Sequence, residues 1–116
     1  MMRRGEIRFV DLDPVHGSEA GNNRPVVVVS NDIANATAKR LGRGVVTVVP
    51  VTSNVDRVYP FQVLLPATAT GLPRDSKAQA EQVRSVAVER VGKRRGIVPP
   101  QLLRDLDEAL RVHLAL

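Results

Sequence analysis

Two valine runs constrain this chain more than any other feature: residues 24–30 read RPVVVVS and residues 45–51 read VVTVVPV. β-Branched side chains are stiff at χ1 and fit a pleated sheet better than a helix. An unbroken apolar run also sends side chains to both faces of a strand, so each run predicts a strand buried on both sides. Arg24 stands at the mouth of the first run. Before it lies a polar stretch, Asp13 to Asn23, that Pro14, Gly17 and Gly21 mark as a loop. A guanidinium fixed between a loop and a core strand is better placed to grip an anion than one on a helix face.

The remaining elements follow from periodicity and punctuation. Gly5 to Leu12 alternates as a first strand, with Ile7 and Phe9 on one face and Val10 and Leu12 on the other. Pro25 to Ser30 is the second strand. Asn31 or Asp32 caps a short helix through Lys39 or Arg40, which the Gly42-Arg43-Gly44 turn ends. Val45 to Val51 is the third strand, followed by a polar loop from Thr52 to Pro60 and a short strand from Gln62 to Leu65. Pro66 to Ala80 reads as a long connection with a helical turn near Ser76. Glu81 to Val88 reads as a fifth strand, and Lys93 to Gly96 as a basic turn. Pro99 and Pro100 open a terminal helix with Leu103, Leu106, Leu110 and Leu114 on one stripe and an Asp107–Arg111 pair on its polar side. Short strands plus one terminal helix predict a single α+β domain over residues 1–116, mainly β: a small curled antiparallel barrel closed on one side by the helix.

Composition narrows the chemistry. The chain has no cysteine, which excludes disulfides and Cys-ligated metal. Its histidines are His16 and His113, without an HExxH or acidic metal loop, so no metal site is expected. Gly42 and Gly44 make no phosphate-cradling pattern, and no serine sits in a GxSxG turn. No cofactor is expected. The net charge is +5, and only Lys39, Lys77 and Lys93 of the seventeen basic residues are lysines. Arginine forks match phosphate geometry, so nucleic acid or an acidic protein is the expected partner. With one Tyr, two Phe and no Trp, base stacking is not the main binding device. No signal peptide or long apolar run is visible, which points to the cytoplasm and away from a membrane.

Several motifs taken together resemble the MazF/PemK toxins. Gly5-Glu6-Ile7, Asp11-Leu12-Asp13-Pro14, Gly17-Ser18-Glu19, Gly21 and Arg24-Pro25 match that family's opening signature. Pro50-Val51-Thr52-Ser53 matches its second motif, with Tyr59-Pro60-Phe61 just after. Asp75-Ser76 and Glu81-Gln82-Val83-Arg84-Ser85 match its third. The resemblance implies an SH3-like barrel that dimerises and cleaves single-stranded RNA at short sequence motifs without metal, leaving a cyclic phosphate and a 5′-hydroxyl. It implies Arg24 and Thr52 as the catalytic pair, and an RNA groove along Ser18, Glu19, Glu81 and Gln82. Asn22, Ser53 and Asn54 are further RNA-binding candidates on the two polar loops. The inhibitor implied is an antitoxin with an acidic, disordered tail, which suits the positive charge. Lys77 and Gln79 depart from the family's apolar habit and are expected to add polar surface.

Elementary chemistry assigns roles within that set. Arginine keeps its proton at ordinary pH, so Arg24 is a phosphate clamp and charge stabiliser rather than a base. Glu19 is the nearest candidate in the sequence to accept the 2′-hydroxyl proton. Two other functions share the barrel expectation. A gyrase-poisoning toxin needs a tryptophan-bearing C-terminal tip, whereas this helix ends His113-Leu114-Ala115-Leu116. A barrel that binds nucleic acid without cutting it would make Arg24 one of several phosphate contacts, lost in a graded, salt-dependent way.

Overall fold

Both valine runs lie at the centre of one curled antiparallel sheet in the computed structural model, which describes residues 2–13, 16–21 and 23–116. The strands are β1 (Glu6–Asp11), β2 (Asn23–Val28), β3 (Val45–Thr52), β4 (Gln62–Leu65), β5 (Ser76–Gln79), β6 (Arg84–Ala87) and β7 (Val91–Ile97). The helices are α1 (Asp32–Leu41), α2 (Ala67–Thr70) and α3 (Pro100–Leu114). The strand order is β4-β5-β3-β2-β1-β7, with β6 also paired to β3. β3 explains the curl. One stretch of it, Val48 to Pro50, pairs with β2, while Val45 to Val48 pairs with β6 and Val51 to Thr52 with β5. A single strand thus passes from one sheet surface to the next. Among the described residues the two ends, β4 and β7, do not pair, so the sheet is curled rather than closed.

Alternation within the valine runs divides the interior in two. Val27, Val49 and Val51 face a cluster that includes Ile7, Leu65 and Leu106 of α3. Val26, Val28, Val46 and Val48 face a second cluster with Val10, Leu12, Val86 and Ala38 of α1. All the valines from 26 to 28 are fully buried, each contributing about 1.5–3 kcal/mol of burial. The helix ends follow capping chemistry. Asn31 Oδ1 accepts from Ala34 N at 2.8 Å, and Gly42 takes the left-handed conformation that ends α1. Pro100 occupies the first turn of α3, where its missing N–H costs nothing.

Five expectations need correction. The connection from Pro66 holds α2 and the strand β5 in place of a turn near Ser76. β5 is a strand because it is flanked on both edges, by β3 and β4, a tertiary gain that local composition does not encode. The basic stretch Lys93 to Gly96 belongs to strand β7. It shows no apolar alternation because it is an exposed edge, where charge also guards against strand addition. The segment read as a strand from Glu81 to Val88 begins with a 3-10 turn, Ala80–Gln82, and only Arg84–Ala87 is strand. On α3, Asp107 pairs with Arg4 and Arg111 with Glu108, not with each other, and Leu114 is exposed.

Candidate active site

The β2–β3 register aligns Val26 with Pro50 and Val28 with Val48. Continued two residues toward the loops, the same register sets Arg24 across from Thr52. Both are half-buried, and both line a cavity of about 460 Å³. Ser53, Phe9, Pro25 and Val51 line it as well, together with Leu72 to Arg74, Ser76 and Arg95. Two strand ends and two connections therefore converge on the place where the valine runs emerge from the core.

Each side chain is held for a visible reason. Arg24 donates from Nε to Gly21 O at 2.6 Å, which anchors the guanidinium to the preceding loop. None of the ion pairs of the structure engages Arg24 among the described residues. A salt bridge to Glu19 or Asp11, the plain structural role for such an arginine, is therefore not formed there. Thr52 Oγ1 accepts from Asn54 N at 3.3 Å, so its hydroxyl hydrogen stays free to donate elsewhere. Asn54 Oδ1 in turn accepts from Asp56 N at 3.2 Å and shapes the exposed turn.

Arg24, Thr52 and Ser53 are the sequence candidates that the cavity brings together; the other candidates among the described residues lie outside its lining. Ser18 and Glu19 are exposed on the first loop, where Glu19 Oε1 accepts from His16 N at 2.6 Å. Gln82 braces that loop from across the fold. Its Nε2 donates to Ser18 O at 3.0 Å and its Oε1 accepts from Ala20 N at 2.9 Å. Glu81 accepts from Gln62 Nε2 at 2.8 Å through one carboxylate oxygen, while the other is buried with no hydrogen-bond partner among the described residues. Asn22 lies outside the described residues. Lys77 does not add polar surface: it is 8% exposed and its ammonium donates to Arg57 O at 2.6 Å.

Sequence reasoning missed two charged residues of the lining, Arg74 and Arg95. Arg74 follows α2 in a segment read as connection, and Arg95 belongs to the stretch read as a turn. The only hint was the arginine excess itself. Among the described residues the cavity lining thus has three arginines and the hydroxyl residues Thr52, Ser53 and Ser76, and no carboxylate or imidazole residue. Among the described residues no group of His, Asp and Glu side chains gathers into a possible metal site. A concave, cation-lined site of this kind concentrates anions and stabilises negative charge that develops within it. No helix among the described residues is long and apolar enough to cross a membrane.

Comparison with known proteins shows the family. The model of PemK-like, MazF-like toxins of type II toxin–antitoxin systems matches residues 3–114. The chain is 69% identical over 116 residues to endoribonuclease MazF9 of Mycobacterium tuberculosis, covering 100% of this chain and 98% of that protein. The crystal structure of MazF from Deinococcus radiodurans superimposes with a TM-score of 0.80 at 25% identity, covering 99% of this chain and 97% of that one. A MazE–MazF crystal structure from the same organism gives a TM-score of 0.74 at 26% identity, over 99% and 97% of the two chains.

Proposed function

We propose that this chain, which belongs to the PemK-like, MazF-like toxin family and is an endoribonuclease, cuts single-stranded RNA without a metal, with Arg24 and Thr52 at the scissile phosphate. The observation that carries this reading is the convergence of Arg24 and Thr52 on one cation-lined cavity. In the reaction the 2′-hydroxyl of the nucleotide attacks its own 3′-phosphate. The P–O5′ bond breaks, the 2′,3′-cyclic phosphate forms, and the leaving oxygen takes a proton from water to become a 5′-hydroxyl. Negative charge builds on the non-bridging oxygens in between. Arg24, its Nε already spent on Gly21 O, presents its terminal nitrogens to that charge as a fork. Thr52, accepting from Asn54 N, donates its hydroxyl hydrogen to the same phosphate.

The proton leaving the 2′-hydroxyl needs an acceptor. This reading gives it to Glu19, the carboxylate nearest Arg24 in the sequence, on the loop that Gly21 ties to Arg24; Glu19 is exposed outside the cavity lining, so it takes the proton through an intervening water. Ser18, Asn22, Ser53, Asn54, Glu81 and Gln82 then flank the RNA path. The active form is a homodimer, and the protein works in the cytoplasm. Its inhibitor is an acidic antitoxin segment attracted by the +5 charge.

Digestion of a long unstructured RNA in excess EDTA, with the cut ends mapped chemically, tests the reading. Discrete cuts leaving cyclic phosphate and 5′-hydroxyl ends, lost in folded Arg24→Ala and Thr52→Ala variants, support it. Cuts that require an added divalent ion, or that persist in both variants, overturn it.

A further inference from the structure

A ladder irregularity in β7 has placed one arginine where a regular strand would not. Along β1, Glu6 faces Ile97 and Ile7 faces Gly96, yet Arg8 faces Arg94. Arg95 is the extra residue, with no opposite number on β1. Such a bulge re-aims a side chain. Here Arg94 reaches toward Glu6 Oε2 at 4.0 Å, while the guanidinium of its neighbour Arg95 lies 4.9 Å from the centre of the Phe9 ring and lines the cavity. A planar cation stacked on an aromatic face is held in orientation but keeps its hydrogen-bond donors at the edge.

Arg74 lines the same cavity from the connection between α2 and β5. Its backbone is pinned by Ser76 Oγ, which donates to Arg74 O at 3.1 Å. The adjacent carboxylate does not neutralise it: Asp75 Oδ1 accepts from Ala67 N at 2.8 Å at the start of α2. Among the described residues neither Arg74 nor Arg95 belongs to an ion pair. Several cations converging on one concavity repel one another unless an anion lies between them. One scissile phosphate is satisfied by Arg24 and Thr52, which leaves a second cationic locus without a ligand.

We propose that Arg95 and Arg74 form a second phosphate-binding locus in this cavity, which holds the RNA phosphodiester adjoining the one that is cut. The inference rests on the RNA-cleaving reading of the same cavity. Arg95 and Arg74 touch no reacting atom in it; they fix the strand so that the scissile phosphate meets Arg24.

The test uses the full chain and a short RNA carrying one mapped cut site. Binding is measured by fluorescence anisotropy on a copy blocked by 2′-O-methylation at that site, over a series of salt concentrations. Arg95→Gln and Arg74→Gln each weaken binding about tenfold, the expectation for one charge-assisted contact, and flatten the salt dependence by about 0.7 in the log–log slope. Arg95→Lys keeps the slope. In cleavage, the loss for Arg95→Gln falls more on KM than on kcat. A neutral methylphosphonate on one side of the cut site weakens binding to the unaltered protein by more than either single substitution does, and weakens binding to the Arg74→Gln/Arg95→Gln double variant no further. Unchanged affinity and slope in both glutamine variants, or losses that simply multiply with methylphosphonate at either side, overturn the proposal. Arg24→Ala separates the two readings, since it abolishes cutting whether or not the second locus exists. An unaltered protein that neither binds nor cuts RNA overturns both.

Discussion

Replacing Gly96 by alanine tests how closely β7 packs on α2, and through that contact how the cavity is held. A Cβ on Gly96 would lie 2.4 Å from the carbonyl oxygen of Thr70, the last residue of α2. Carbon–oxygen contacts settle at about 3.3–3.6 Å, so the two backbones must part by about 1 Å. Neither is free to do so, because Gly96 is in ladder with Ile7 and Thr70 is buried. Overpacking of this kind costs about 1–3 kcal/mol, and a clash between two backbones belongs at the top of that range, about 2–3 kcal/mol. With an unfolding entropy of about 2.1 cal/mol/K per residue, a chain of 116 residues loses about 4 °C per kcal/mol, so Tm falls by about 8–12 °C. Gly92→Ala is the comparator on the same strand. Its Cβ would lie 3.0 Å from Phe9 O, a tight contact that a small shift relieves, and it costs less. Urea or thermal unfolding of the two variants at one protein concentration gives the comparison. The parting also displaces Arg95 on one side and the Leu72–Arg74 rim on the other, so Gly96→Ala loses cleavage beyond its loss of folded protein. A Gly96→Ala variant within about 0.5 kcal/mol of the unaltered protein, or one less perturbed than Gly92→Ala, would refute the reasoning.

Asn35→Ala removes a fully buried amide whose Nδ2 donates to Ser30 O at 2.8 Å and whose Oδ1 accepts from Ser30 Oγ, itself the acceptor for Thr47 N at 3.0 Å. With those groups stranded in the interior, chemical denaturation registers a loss of about 2–3 kcal/mol. Gln82→Ala releases the first loop, which it holds at Ser18 O and Ala20 N. Amide exchange at Ala20 rises, cleavage falls while the midpoint of unfolding barely moves, and unaltered exchange there would show that the brace is not what orders the loop.

The parts legible in the sequence are those where local pattern and tertiary demand coincide. The valine runs are double-faced strands because nothing else accommodates such residues in a core, and Asn31 with Gly42 bounds α1 by chemistry that acts within a few residues. Arg24 and Thr52 could be placed together once β2 and β3 were taken as neighbours, since register follows from antiparallel pairing. β5 and β7 were not legible. β5 is short and polar, and exists because partners flank it on both sides. β7 is an exposed edge whose bulge exempts it from the period-two pattern that announces a strand. Arg74 and Arg95 escaped notice for the same reason: each reaches the cavity through a segment whose conformation is set by distant neighbours. Gln82 was legible as a motif residue, but its role as a brace for a loop some sixty residues earlier belongs to the folded chain alone.

Single-turnover cleavage of one RNA carrying a mapped site, in excess EDTA, by the unaltered protein, Arg24→Ala, Thr52→Ala and the double variant tests the central claim most directly. If the two side chains stabilise the same developing charge, each substitution lowers the rate by about 10²–10³, and the double variant is far less impaired than the product of the two losses. Rates for folded single variants within a few-fold of the unaltered protein would contradict the account, and would place the chemistry outside the cavity where β2 and β3 emerge from the core.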